Sequence, residues 1–194
     1  VPSVSLADAP WPLHTERLTI RPAVADDADA VYEYRRLEEV SRWLTSLPTD
    51  AGSHATAFTE PGRLASTLIL EHDGGVIGDL MVRIEAPWAQ QEVREQAEGT
   101  HAELGWVLRP EASGRGYATE ALEAILRVCF VGLGLRRVTA NCFADNEPSW
   151  RLMERLGMRR ETATVEESLH RSGRWLNGYG YALLASEWRA THPD

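Results

Sequence analysis

A chain of 194 residues, 43% hydrophobic and 25% charged, has the composition of an ordinary globular protein and is long enough to bury one sizeable core. Its formal charge of -9 argues against nonspecific nucleic-acid binding, which needs Lys and Arg to displace counterions from phosphate. No apolar run is long enough to span a bilayer, and the start lacks the basic and apolar regions of a secretory leader, so a cytoplasmic protein with no membrane partner is expected.

Residues 1–12, with Pro2, Pro10 and Pro12 and no periodicity, read as an extended arm. Leu18 to Arg21 alternates apolar and polar and is a strand, ended by Pro22, which cannot donate to a ladder. Asp26 and Asp27 follow as N-cap and first-turn acids of a helix on which Val31, Tyr34 and Leu37 recur at helical spacing. From Val40 to Leu64, Trp43, Leu44 and Phe58 are interrupted by Pro48, Gly52 and Pro61, which suits one or two short helices. Thr67 to Glu71 and Val76 to Glu85 flank His72-Asp73-Gly74-Gly75, a hairpin signal because Asp-Gly supplies the positive φ of a tight turn.

The stretch from Ala86 to Thr100 is acidic and polar, a loop or a short exposed helix, and Ala102 to Arg109 then resumes strand alternation up to Pro110. Beyond a glycine turn, Leu122, Ile125, Leu126, Cys129, Phe130 and Leu133 form a single apolar stripe on one long helix. Val138 to Ala144 is a strand, and Asn146 with Pro148 opens a helix bearing Leu152, Met153 and Leu156 and closed by Gly157. This order is a βαβ unit with parallel neighbouring strands. Arg159 to Leu169 and Trp175 to Leu184 close the chain as a hairpin around Arg171-Ser172-Gly173. No repeat or linker divides the chain, so a single domain over 1–194, of mixed α/β class, is expected.

The turn Gly114-Arg115-Gly116-Tyr117-Ala118 lies between an alternating strand and a striped helix. A helix N-terminus carries about half a positive charge and unpaired N–H groups that can solvate an anion, and glycines let a phosphate approach the backbone. An ordinary strand-to-helix connection uses the same letters as readily. A dinucleotide fingerprint would need glycine where Thr119 stands, and the P-loop Gly-Lys-Ser/Thr is missing. Cys129 and Cys142 fall in apolar periodic segments as small buried hydrophobes. His101-Ala102-Glu103 copies half of a zinc deaminase signature without its cysteines, so no metal is expected.

Leu108-Arg109-Pro110, then Ser113 through Ala121, then Asn146-Glu147-Pro148-Ser149-Trp150-Arg151-Leu152-Met153-Glu154 running into Leu156-Gly157-Met158, together resemble the GNAT superfamily of N-acetyltransferases. Thr15-Glu16-Arg17-Leu18 with Arg21-Pro22, and Tyr181-Ala182-Leu183-Leu184 with Glu187-Trp188, look like the two ends of its RimJ/RimL-type branch, which includes ribosomal-protein N-terminal acetyltransferases. The resemblance implies a mixed sheet flanked by helices whose central parallel strands splay apart. It implies acetyl-CoA as cosubstrate, with the pantetheine arm along Trp106, Val107 and Leu108. The pyrophosphate would lie on the turn from Ser113 through Gly114, Arg115, Gly116, Tyr117 and Ala118 to Thr119. Asn141, Asn146 and Ser149 would also meet the cofactor. Ser113 departs from the Gln or Arg usual at that position, and Met153 stands where many relatives carry an acidic Tyr.

Transfer to an amine needs a proton acceptor, oxyanion donors and a proton for the leaving thiolate. The resemblance gives the thiolate role to Ser149, whose other reading is a first-turn hydroxyl satisfying local backbone. It gives the general base role to Glu103, a carboxylate half buried in the cleft, whose other reading is a plain exposed strand residue. The implied acceptor is a small-molecule amine or a protein N-terminus, and the implied assembly is a homodimer. The competing function is a cofactor-binding sensor that has lost turnover.

Overall fold

The computed structural model describes residues 4–192, so the reading of Pro2 falls outside the described residues. Among those residues eight strands form one mixed sheet: β1 (Leu13–His14), β2 (Thr19–Pro22), β3 (Thr67–His72), β4 (Gly75–Glu85), β5 (His101–Leu108), β6 (Arg137–Phe143), β7 (Arg159–Leu169) and β8 (Trp175–Leu184). Their order across the sheet is β1-β2-β3-β4-β5-β6-β8-β7, and every neighbouring pair is antiparallel except β5 and β6. The helices are α1 (Ala28–Arg35), α2 (Glu38–Ser41), α3 (Ala51–Phe58), α4 (Pro61–Ala65), α5 (Arg94–Ala97), α6 (Tyr117–Arg127), α7 (Glu147–Arg155) and α8 (Ala185–Thr191).

Two apolar cores lie on opposite faces of the sheet, because alternate strand residues point to opposite sides. Leu68, Leu70, Ala102, Leu104, Val138 and Ala140 face one way, against Leu122, Ile125 and Leu126 of α6, Leu152 and Met153 of α7 and Trp188 of α8. Ile69 and Val107 face the other way, against Val31 and Tyr34 of α1 and Phe58 of α3. Leu68, Ile69 and Leu70 are consecutive and all fully buried, as expected of a strand covered on both faces. β7, at the sheet edge, is largely exposed.

The 73–74 turn has positive φ at both Asp73 and Gly74, which is the hairpin geometry that the Asp-Gly pair predicts. The arm is not simply extended. Leu6–Asp8 is a 3₁₀ turn capped by the Ser5 hydroxyl, and Leu6 enters the core. Asp27 is not an N-cap acceptor for α1: its carboxylate accepts the Val24 N–H at 2.8 Å and two guanidinium bonds from Arg21 at 2.7 and 2.8 Å, bracing β2 against α1. The long apolar stripe is also divided. α6 ends at Arg127 and the chain widens into a π turn over Val128–Gly132, where the Leu133 N–H reaches the Val128 carbonyl, yet Cys129 and Phe130 remain fully buried. The region from Val40 to Leu64 carries the C-terminal part of α2, α3 and α4, and 86–100 carries α5 beside a 3₁₀ turn at Gln91–Val93.

Candidate active site

The parallel ladder is short. His101, Ala102 and Glu103 pair with Arg137, Val138 and Thr139, and there the pairing stops. Past this fork β5 stays with β4 through Gly105 to Leu108, while Asn141 to Phe143 of β6 stay with β8. The Arg109 N–H bonds the Ile77 carbonyl, and bonding direction alternates along a strand, so the backbones of Trp106 and Leu108 are turned to the opened gap. Unpaired strand backbone of this kind can take an extended polar ligand as a substitute neighbour.

After β5, a 3₁₀ turn at Pro110–Ala112 leads into Ser113, and Gly114 and Gly116 take φ values of 73° and 83°. Gly116 then caps α6 without a side chain, so the N–H groups of the first turn are left for an anion. The loop is held from behind. The Arg17 guanidinium donates to the Arg115 carbonyl at 3.0 Å and to the Glu120 carboxylate at 2.7 Å, and it lies 4.6 Å over the Tyr117 ring. Glu120 also accepts the Thr15 hydroxyl at 2.6 Å and the Arg17 N–H at 2.8 Å. Burial alone would push Glu120 up, but these bonds and the Arg17 charge outweigh it and hold the carboxyl below its ordinary range. The Tyr117 hydroxyl meets His72 Nε2 at 2.9 Å.

A cavity of about 390 Å³ opens in front of this loop. Trp106, Leu108, Ser113, Gly114, Gly116, Tyr117, Ala118, Thr119 and Ser149 all line it, so most of the residues expected to hold the cofactor meet in one place. Arg115 contributes its carbonyl to the Arg17 clasp and does not line the cavity. Arg151 and Arg155 of α7 do line it, and sequence reasoning missed them as site residues. Their signal was the i, i+4 spacing on the helix that carries Ser149, which puts both guanidinium groups on one face. Arg155 donates to the Thr119 hydroxyl at 3.3 Å and Arg151 pairs with Glu147.

A second cavity, of about 290 Å³, shares Trp106, Leu108, Ser113 and Ser149 with the first and adds Glu39, Val40, Leu44, Val107 and Asn146. The two cavities therefore meet at the fork, with Ser149 at the junction. Its hydroxyl has no hydrogen-bond partner among the described residues, so the local backbone-satisfying reading is not what the geometry shows. Asn146 holds the N-cap position of α7 by backbone alone, its side chain making no capping bond. Asn141 lines a third cavity of about 280 Å³, together with Phe143 and Glu167.

Glu103 is the last paired residue before the fork, and both its oxygens are engaged, one by Arg83 and the other by the Asn141 amide at 3.0 Å. It lines none of these three cavities. The Glu103 carboxylate is partly buried and paired. Burial pushes the Cys129 thiol up to about 12 and the Cys142 thiol up to about 11, so neither supplies a thiolate at neutral pH.

Residues 17–159 match the family model described as the acetyltransferase (GNAT) domain. The uncharacterized N-acetyltransferase YnaD of Bacillus subtilis (strain 168) is 33% identical over 90% of this chain and 97% of its own length. YdaF of the same strain, named as a candidate ribosomal N-acetyltransferase, is 26% identical over 89% of this chain and 94% of its own. The crystal structure of a GNAT-family acetyltransferase from Bacillus anthracis superposes with a TM-score of 0.77 at 28% identity, covering 91% of this chain and all of that one. With a forked parallel pair, a glycine-capped helix and these relatives, the chain belongs to the GNAT family and is an acetyl-CoA-dependent N-acetyltransferase.

Proposed function

We propose that the transfer takes place at the fork between β5 and β6, by direct attack of a primary amine on acetyl-CoA in a ternary complex. The observation that carries this reading is the meeting of the two cavities at the unpartnered Ser149 hydroxyl. The pyrophosphate rests on the N–H groups from Ser113 to Ala118, with Thr119, Arg151 and Arg155 beside it. The pantetheine arm runs along the opened edge of β5 at Trp106, Val107 and Leu108, with Asn146 across the gap. In this reading the thioester lies at the junction, and Ser149 supplies the proton for the departing sulfur. The raised thiol groups of both cysteines favour direct transfer over a covalent acyl-enzyme.

Glu103, the carboxylate that the resemblance puts forward as base, is assigned here to holding the fork. By binding Arg83 on β4 and Asn141 on β6 it ties three strands together at the point where pairing ends. The RimJ/RimL-type likeness rests on the Asn146 to Ser149 segment, Met153 in place of an acidic Tyr, and the two chain ends, and the similarity to YdaF supports it. The acceptor in this proposal is a small-molecule amine or a protein N-terminus.

Incubation with acetyl-CoA and a panel of amines, peptide N-termini included, tests the proposal by the free thiol released. Amine-dependent release matched by acetylated product is expected. Tight acetyl-CoA binding with no release across the panel would favour the sensor reading instead.

A further inference from the structure

We propose that Glu39 of α2 is the group that takes a proton from the acceptor amine, an assignment that rests on the transfer reading above. Glu39 lines the cavity that reaches Ser149 and Asn146, and its carboxylate has no hydrogen-bond or ion-pair partner among the described residues. The next residue, Val40, packs with Leu44 against the cluster of Val31, Tyr34 and Val107, which fixes α2 over the opened strand. Glu39 itself is exposed at the cavity edge, so a proton it takes has a path to water. Glu103 offers neither property, since both its oxygens are bound and it lines none of the three cavities.

The other charged groups on the surrounding elements are Arg36, Glu38 and Arg42 beside Glu39 in the chain, Arg109 and Glu111 after β5, Arg115 in the glycine turn, Glu147, Arg151, Glu154 and Arg155 on α7, and Arg171, which bonds the Leu44 carbonyl from the hairpin tip. Arg36 pairs with Glu33, Arg151 pairs with Glu147, and Arg109 lies 5.5 Å over the Tyr34 ring. Glu39 is the one charged side chain lining this second cavity, so a cationic amine entering it meets a carboxylate and no competing cation.

The step balances as follows. The ammonium gives one proton to Glu39, and the neutral nitrogen attacks the thioester carbonyl carbon, forming the C–N bond as the carbonyl electron pair moves to oxygen. Return of that pair breaks the C–S bond, and the sulfur leaves as a thiolate. The Ser149 hydroxyl passes a proton to the sulfur and takes the second proton of the nitrogen. Glu39 then releases its proton to solvent. The products are an amide, coenzyme A thiol and one proton.

Glu39→Gln and Glu103→Gln, compared with wild type by initial rates of thiol release, test the assignment. The acceptors are ethanolamine, putrescine, glucosamine and an alanyl dipeptide. With any of these that wild type acetylates, E39Q is expected to lose about 100-fold in kcat at neutral pH, the scale of general base catalysis, with KM for acetyl-CoA unchanged. The loss should shrink as the pH is raised toward the pKa of the amine, where the acceptor arrives already neutral. E103Q should keep the wild-type pH profile. A wild-type kcat in E39Q, a loss that does not recover with pH, or a pH-dependent loss in E103Q instead would each overturn the assignment. Because Glu39 is exposed and unpartnered, its replacement leaves the fold intact. Wild-type protein that binds acetyl-CoA and releases no thiol overturns the transfer reading itself, and this assignment with it.

Discussion

The two walls of the cleft are built differently. The wall that carries the glycine turn is one strand, one helix terminus and a backbone loop whose shape is set by two positive-φ glycines and clasped by Arg17. Its lining cations, Arg151 and Arg155, suit a polyanion. The opposite wall is made of the short α2, the loop after it and the tip of the β7–β8 hairpin. There Arg171 donates to the Leu44 carbonyl at 2.6 Å, a His170 ring nitrogen lies 2.9 Å from the Arg42 carbonyl, and Trp43, Phe143 and His170 cluster with ring centroids 5.5 to 5.8 Å apart. Its lining charges, Glu39 and Glu167, are acidic. A fixed backbone wall suits a ligand common to a whole family, and a wall of side chains on short elements suits one that differs between members.

The sharpest way to break this comparison is at the junction. Ser149→Ala should lower kcat by about 100-fold with little change in KM for acetyl-CoA, measured by thiol release, because that hydroxyl serves the proton transfers of the reaction and not the binding of the cofactor. Loss of acetyl-CoA binding instead would move Ser149 to the cofactor wall. Next in size is the brace under the acceptor wall. Asp79, buried in β4, accepts the Tyr34 hydroxyl at 2.5 Å and the Arg35 guanidinium at 2.5 and 3.0 Å, tying α1 to the sheet. Asp79→Ala leaves a partly buried guanidinium uncompensated and should cost about 3 kcal/mol of stability in a denaturant titration.

On the cofactor wall, Arg17→Ala removes the clasp from the Arg115 carbonyl and the partner of Glu120. KM for acetyl-CoA should rise about tenfold, the scale of one charge-assisted bond, with kcat largely kept. Arg155→Ala should raise the same KM only about threefold, and less at high salt, since its charge is screened there. The smallest effect lies outside both walls. The Arg137 guanidinium, with Arg159 adding to it against the cost of burial, draws the Glu161 carboxyl down to about 2. A depressed carboxylate contributes stability that is present above its unfolded pKa of about 4.3 and lost as pH falls through the folded value. Glu161→Gln should therefore flatten the loss of stability between about pH 4 and pH 2 in an acid unfolding series.

The same contrast explains what the sequence disclosed. The run from β5 through α6, β6 and α7 was readable because strand alternation, an apolar stripe and two glycines are local patterns, and all of them survive in the structure. The division of the stripe at Arg127 was not, since an i→i+5 turn keeps the same residues buried and leaves no mark on the periodicity. Between Val40 and Leu64, Pro48, Gly52 and Pro61 cut the pattern below the length at which periodicity is informative, and for Glu39, just ahead of that stretch, no local pattern marks a residue that lines a cavity. The Arg17 clasp joins it to Arg115 and Glu120, 98 and 103 positions away, and the Glu103 pairing with Arg83 depends on the β4–β5 register. Neither distance nor register can be read from adjacent letters. Asn146 is expected both to open α7 and to meet the cofactor; it holds the N-cap position, makes no side-chain capping bond and lines the second cavity.

The central claim, that coenzyme A occupies the wall of the glycine turn and the gap beside β5, is tested most directly by amide hydrogen exchange with and without coenzyme A. Protection is predicted over residues 106–108 and 113–119, with residues 162–168 of the hairpin unchanged. Protection confined to the hairpin and the 38–45 segment, with residues 113–119 exchanging as in the free protein, would contradict it.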